Sequence, residues 1–440
     1  MNALSTVEIL VRECEPSRYL LGNLRMARGL LTAYAQERLE GWALPRRQVA
    51  SETPYQVIEF FCGCGGMSLG FASLDPFFSI SGGCDIDPDA AATFEHNFTA
   101  PAILADVRRL AKDKAKLSVF LNGLKDCDDR PLVVIGCAPC QGFSAYRKKC
   151  WEKKDARNNL VGDFASVAVD LEPECIVMEN VPEMLADKYW KYFEDARSTM
   201  EDAGYIVRQS IYNAASFGVP QERFRTLVVA MRHDFLLPEP LITDAGQYMT
   251  VRQAIGHLPM VLPGQEHPNL KLHRSARHRL ETLETIRAVP KNGGSRPQGV
   301  GPRCLDRVSG FYDVYGRLCW DKPAITITHY ARNPASGRFV HPEQDRGLTM
   351  REAALLQSFP LGFEFTGSFD AIFKQIGEAV PPKFACAVAA SILTEMLSPP
   401  PTEEEKRHGV QSIDEPVSNS YSSVIAGYKM ARRENGIHMR

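Results

Sequence analysis

The chain has 440 residues, of which 44% are hydrophobic, 24% charged and 9% aromatic, and its formal net charge is −2. This composition excludes a mainly disordered chain, a collagen-like repeat and a small disulfide scaffold, and it supports a large core in one or two domains. It also excludes a polycation, so any affinity for nucleic acid must come from local positive charge. No stretch approaches the roughly 18 apolar residues of a membrane span. Glu8 and Glu13 interrupt the N-terminal run that a signal peptide would need. The reading is a cytoplasmic protein without membrane association. The 12 cysteines agree with it, because Cys175 and Cys386 sit in apolar runs and no evenly spaced disulfide framework is present.

Residues 1–54 read as a helical N-terminal extension. Pro16 suits a first helical turn and Gly41 a helix end, while Leu20, Leu24, Ala27 and Leu31 make one apolar stripe. Such a helix packs on the main domain or contacts DNA or a partner. Residues 55–240 change texture. Short apolar runs each end in a Gly, Asp, Pro or Cys turn: VIEFFCGCGG (57–66), SISGGCDID (79–87), AILADV (102–107), PLVVIGCAPC (131–140), ECIVMENVP (174–182) and TLVVAMR (226–232). Helical stretches lie between them. The alternation predicts βαβ units and a parallel sheet buried on both faces, with working residues beyond the carboxyl ends of the strands. Residues 241–345 hold many Gly, Pro, Arg and His and little periodicity. Within them, 271–307 carries nine Lys or Arg against three Asp or Glu, a local net charge of +6. Helical texture returns over 346–398, and the polar segment 399–440 is predicted to be a mobile tail.

The strand ends carry the chemistry. In FFCGCGGMSLGF (60–71), Gly63, Gly65 and Gly66 allow a tight turn and close backbone approach. Some 20 residues on, a strand ends in Asp85, placed to accept from both ribose hydroxyls, and a third ends at Asp106, placed to accept from an adenine amino group. Together they suggest an adenosine-containing cofactor, nicotinamide dinucleotide or S-adenosylmethionine. In GCAPCQGFS (136–144), Cys140 follows an apolar strand at a proline-fixed turn, where a thiol escapes the core and is open to activation. Cys137 and Cys140 also form a C-x-x-C, so a redox pair or a zinc site with Cys62 and Cys64 competes with a nucleophile. Glu179 in MENVPEM (178–184) stands at a desolvated strand terminus, where burial favours a carboxyl that keeps its proton and donates it. Arg223 and Arg225 of PQERFRTLVV (220–229) enter a strand at alternate positions, as anion clamps or as partners of nearby acids.

Taken together, these motifs resemble those of the DNA (cytosine-5)-methyltransferase family. FFCGCGG, Asp85, ADV (105–107), GCAPCQGFS, DARNNLV (155–161), MENVP, PQERFR, a variable segment, LTMREAALLQSFP (348–360) and GEAVPP (377–382) occur in the family's order across about 57–390. The resemblance implies a Rossmann-like S-adenosylmethionine-dependent methyltransferase domain with a smaller target-recognition domain at 241–345, whose scaffold would include YGRLCWDKPAITIT (315–328) and GRFVHP (337–342). It takes most of the weight from the zinc and redox readings, and no metal is expected.

By the same resemblance, Cys140 is the nucleophile, with Glu179, Arg223 and Arg225 as its catalytic partners. Phe61, Gly63, Gly65 and Gly66 hold S-adenosylmethionine, Asp85 its ribose and Asp106 its adenine. Ile86, Val107, Leu160, Glu378 and Ala379 lie around it. Gln141, Ser144, Arg147, Lys148 and Lys149 contact double-stranded DNA. GEAVPP has Glu378 where the family form usually has Asn. The implied activity is methylation of C5 of a flipped-out cytosine, as the protective partner of a restriction endonuclease or as an orphan methylase. An RNA substrate on the same fold, or a non-enzymatic DNA-binding descendant, are the alternatives.

Overall fold

The computed structural model describes residues 24–43, 55–124, 130–139, 142–143, 156–307 and 313–417. Cys140, Gln141, Ser144, Arg147, Lys148 and Lys149 lie outside the described residues. The first half of the described chain runs α1 (Leu24–Glu40), β1 (Tyr55–Phe60), α2 (Gly66–Ala72), β2 (Phe78–Asp85), α3 (Pro88–Asn97), β3 (Ala102–Leu104), α4 (Val107–Leu110), α5 (Lys114–Asn122) and β4 (Leu132–Gly136). It continues with α6 (Leu160–Asp170), β5 (Cys175–Asn180), α7 (Trp190–Asp202), β6 (Ile206–Asn213), β7 (Phe224–Met231), α8 (Val251–Ile255) and α9 (Leu280–Ala288). The last helices are α10 (Met350–Leu356), α11 (Phe369–Glu378), α12 (Pro382–Leu397) and α13 (Glu403–His408).

Seven strands form one sheet in the order β3-β2-β1-β4-β5-β7-β6. Alternation along each strand sends neighbours to opposite faces. Val57, Val133, Val177 and Val229 face the core built with α1, α2 and α12. Ile58, Val134, Ile176 and Val228 face the core built with α5, α6 and α7. The sheet is therefore buried on both sides, as the apolar runs predict, but it is mixed rather than parallel. β7 runs antiparallel to both β5 and β6. The edge strand β6 escapes the sequence reading because Arg208, Gln209 and Ser210 interrupt its apolar pattern. The strand order reverses at β1 and β4, so the carboxyl ends of β1, β2, β4 and β5 open on one crevice.

The N-terminal helix packs on the catalytic core. Leu31, Ala35 and Leu39 are buried. Glu395 on α12, itself buried, accepts from Arg28 Nη2 at 2.6 Å, Arg25 Nε at 3.1 Å and the Leu236 amide at 3.0 Å. At the other end, residues 399–417 correct the expectation of a free tail. Lys406 of α13 pairs with Asp234 at 2.8 Å. Beyond it the chain lies along β6, with the Ile413 amide donating to Gln209 O at 2.9 Å and the Val417 amide to Leu185 O at 3.1 Å. Hydrogen bonding along an exposed sheet edge blocks pairing with other chains. The stretch Phe369–Leu397 is apolar enough by composition to cross a bilayer. It forms two helices broken at Ala379–Pro381, and 83% of its most apolar window is buried inside the protein.

Residues 241–345 contain no strand among the described residues, and buried arginines organise them instead. Arg317, fully buried, donates to Val289 O at 3.0 Å, Ile286 O at 2.9 Å, His341 O at 3.1 Å and Gln344 O at 2.9 Å. Around it sits a small core of Ile286, Val289, Val314, Tyr315 and Val340. Leu318, Ala324 and Ile327 join the main core. Part of the local positive charge is structural: Lys271, Lys291 and Arg296 are paired with Glu364, Asp345 and Asp306.

Candidate active site

The glycine loop follows β1 directly. Gly65 caps α2 in the left-handed conformation, with φ of 88°. Gly66 is required by close approach, since a Cβ there would stand 2.4 Å from Val380 O and 3.2 Å from the Ala379 Cβ. The turn Gly377–Val380, distant in sequence, is thereby seated on the loop. Asp85 ends β2 with its carboxylate oriented by three main-chain amides, Gly63 at 2.9 Å, Ile86 at 2.7 Å and Asp87 at 2.9 Å.

No ligand accompanies the chain, but these residues fit an adenosine-bearing donor. The oriented Asp85 carboxylate matches a pair of ribose hydroxyls. Ile86 beside it is 71% exposed, an aliphatic surface for a base to cover. A Cβ at Gly63 would meet nothing within 4 Å, so the loop faces open space there. The half-buried Phe61 lies against Phe164, and buried Leu160 opens α6 nearby. Val107, which opens α4, is buried. Asp106 has a second task, capping α4 through the Arg108 amide at 3.0 Å and pairing with the Arg108 guanidinium at 2.7 Å. A carboxylate has four lone-pair directions, so acceptor capacity remains. Glu378 ends α11 at the surface.

The opposite wall is built by β4, β5 and β7. Glu179 is 7% exposed, and the Arg225 Nε stands 2.7 Å from its Oε1. Asn180 donates to Ala138 O at 3.1 Å, which ties the Glu179 strand end to the turn two residues before Cys140. On the far side of Cys140, Gly142 lies so close to Asn158 that a Cβ would stand 1.9 Å from its Oδ1. Phe143 is buried, with its ring 5.2 Å from that of Tyr189 and 6.1 Å from that of Tyr192. The turn before residue 140 is thus tied to the end of the strand that carries Glu179, and Gly142 after it packs closely on Asn158. Desolvation, with Glu179 and Glu59 nearby, pushes the Cys137 thiol far above its ordinary range, so this neighbour stays protonated. Among the described residues no group of three or more His, Cys, Asp or Glu side chains converges as for a metal ion.

The two arginines read as one pair have different tasks. Arg225 meets Glu179. Arg223 is 2% exposed and donates to three main-chain oxygens, Ile327 at 3.0 Å, Gly377 at 3.1 Å and Ala379 at 3.1 Å. Its guanidinium joins the sheet to the 324–328 segment and to the Gly377–Val380 turn. The printed bonds of Arg223 thus place it in the scaffold behind the Glu179–Arg225 pair, a task its expected catalytic role did not include.

Three residues escaped the sequence reading. Gln221 donates to Leu356 O at 2.8 Å, lies against the Gln357 side chain and accepts from the Ile327 amide at 3.0 Å. Asn180 is the second. Both stand inside quoted motifs, but only tertiary partners reveal their work. Glu59, in the middle of β1, is the third. It is fully buried and accepts from the Ser68 amide at 3.1 Å and from the Ser68 hydroxyl. Desolvation pushes its carboxyl up from 4.5 to about 8, against the pull of the Ser68 hydrogen bonds and with a further push from Asp85. The folded chain therefore holds a proton that the unfolded chain releases between about pH 5 and 8. Stability should fall as pH rises through that window, by up to about 1.4 kcal/mol per pH unit, with no loss below the unfolded value. Glu59→Gln is expected to remove this share of the slope, seen as a smaller difference in urea midpoint between pH 5 and pH 8 than in the wild type. An identical difference would mean that Glu59 is ionised in the fold.

A mixed sheet with its glycine loop after the first strand, an oriented acid after the second and polar strand ends along one crevice defines a Rossmann-like methyltransferase fold of the S-adenosylmethionine-dependent class. A solved E. coli prophage protein described as a DNA modification methyltransferase shares it, with a TM-score of 0.60 at 21% identity over 78% of this chain and 99% of that one. Residues 55–394 match the sequence family described as C-5 cytosine-specific DNA methylase. Type II methylase M.HgiDII of Herpetosiphon aurantiacus is 33% identical over 76% of this chain and 94% of its own length. Type II methyltransferase M1.HphI of Haemophilus parahaemolyticus is 36% identical over 76% and 86%. The chain belongs to the C-5 cytosine-specific DNA methylase family and is a DNA (cytosine-5)-methyltransferase.

Proposed function

We propose that the protein methylates C5 of a cytosine flipped out of duplex DNA, through a transient bond between the Cys140 sulfur and C6. The observation that carries this reading is the Asn180 bond that ties the turn before residue 140 to the end of the strand bearing Glu179, itself paired with Arg225.

Cytosine C5 is a poor nucleophile. Addition of the Cys140 thiolate to C6 pushes the C5–C6 electron pair towards C5 and makes that carbon enamine-like. Glu179, facing N3, and Arg225, near O2, stabilise the charge that addition creates. S-adenosylmethionine, bound along the Gly63–Gly66 loop with its ribose at Asp85, supplies the electrophilic methyl carbon. Loss of the C5 proton then restores the double bond as the sulfur leaves C6. Because C6 is covered inside the helix, the base must leave the stack, at a cost on the order of a few kcal/mol. Gln141, Ser144, Arg147, Lys148 and Lys149 follow the nucleophile in sequence and are assigned to the DNA. Residues 241–345 are assigned to recognition of the target sequence.

The Type II names of the relatives support a place in restriction-modification, with a cognate endonuclease as partner and an intracellular site of action. Bisulfite sequencing of DNA from cells expressing the protein tests the reading. Protected cytosines in one sequence context are expected. Methylation of RNA but not of DNA in parallel assays with labelled donor would overturn it.

A further inference from the structure

Where residues 264–278 and 332–333 meet the start of α11, the surface opens into a cleft of about 540 Å³. Its charge comes from Arg274, Arg277 and Arg332 against one carboxylate, Asp370. Arg332 is paired with that carboxylate at 2.5 Å. His278 contributes no charge, since its Nε2 accepts from the Gly347 amide at 3.0 Å, and burial beside Arg346 lowers its affinity for a proton. Two guanidiniums are left over. Arg274 lies over the Phe369 ring, 5.2 Å from its centroid, which fixes it at the cleft wall. Arg277 is exposed, and neither has a carboxylate partner among the described residues. Two guanidiniums without carboxylate partners lining one cleft of this size suit a phosphate carried on a sugar.

The position of the cleft narrows the source of that phosphate. α11 has ten residues, Phe369–Glu378, and so spans about 15 Å. Phe369 and Asp370 at its start line the cleft, while Gly377 near its end accepts from Arg223, two residues from the Arg225 that meets Glu179. The helix thus links the cleft wall to the Arg223 scaffold beside the candidate active site. We propose that the cleft takes a backbone phosphate of the substrate DNA, bound by Arg274 and Arg277. The inference rests on the reading of duplex DNA as the substrate.

Binding of a short labelled duplex carrying the modified site, followed by fluorescence anisotropy over a salt series, tests it. The plot of log affinity against log salt should lose about 1 from its slope in Arg277→Ala, and more in the double variant with Arg274→Ala, because each lost phosphate contact releases fewer counterions. Arg277→Lys should keep the wild-type slope. An unchanged slope in Arg277→Ala overturns the assignment, and that exposed position allows the measurement even where the double variant fails to fold. Methylation of the same duplex by the wild type is followed in parallel. Its absence would sink the substrate reading, whereas an unchanged slope with methylation intact sinks only the phosphate site.

Discussion

Replacing Cys140 by serine should abolish methyl transfer, a loss of roughly a thousandfold or more, comparable to removal of other covalent nucleophiles. A hydroxyl is far less acidic than a thiol and a poorer nucleophile, so the bond to C6 that raises the reactivity of C5 does not form. The surroundings make the variant informative. Ala138 is held by Asn180, and Gly142 packs against Asn158, so exchanging one atom at 140 leaves both anchors in place. DNA binding and the unfolding temperature should stay near wild type. Cys137→Ser provides the contrast. That thiol is kept protonated by its surroundings, and its variant should retain most of the turnover. A duplex bearing 5-fluorocytosine at the target should trap wild type covalently with donor present, and the adduct should map to residue 140. Equal turnover of Cys140→Ser and wild type would end the nucleophile reading.

Arg223→Leu should instead cost stability. Its guanidinium serves three main-chain carbonyls; those of Ile327 and Gly377 would lose this donor, whereas Ala379 O keeps the Gln357 side chain at 2.7 Å. At about 1–3 kcal/mol for an orphaned buried group, and with some relaxation, the loss is roughly 3–5 kcal/mol. For a chain of this size that lowers the unfolding temperature by on the order of 10 °C. Residual activity at low temperature should follow the folded fraction. Arg225→Gln should behave in the opposite way. A donor remains beside Glu179, so stability is largely kept, while turnover falls by about 10²–10³ as the charge opposite the reacting base is lost. If the two variants swap these signatures, the division of labour between the arginines is wrong.

That division marks how far sequence reading reaches. Adjacent arginines two residues apart share a strand face, and local geometry gave no means to tell them apart. What separates them is the identity of residues about 50, 100 and 150 positions away, at Glu179, Ile327 and Gly377. Gln221 and Asn180 follow the same logic, since their partners lie at Gln357 and Ala138. Glu59 was hidden for a different reason. One carboxylate inside a strand has no spacing signature, and its proton depends on how completely two packed layers exclude water.

From the order of its residues alone this protein disclosed its class, the chain order of its polar strand ends and the class of its methyl donor, and it nominated the thiol at 140. Those features are short-range: an apolar run, a turn-forming residue and a reactive side chain within ten positions, repeated along the chain. Tertiary structure alone decided that the sheet is mixed, that residues 399–417 brace the β6 edge, and that buried arginines rather than strands build the described residues between 241 and 345. The reason is physical. Periodicity encodes which face of an element is apolar, whereas a buried charge or an edge strand is stabilised only by the particular groups that folding brings to it.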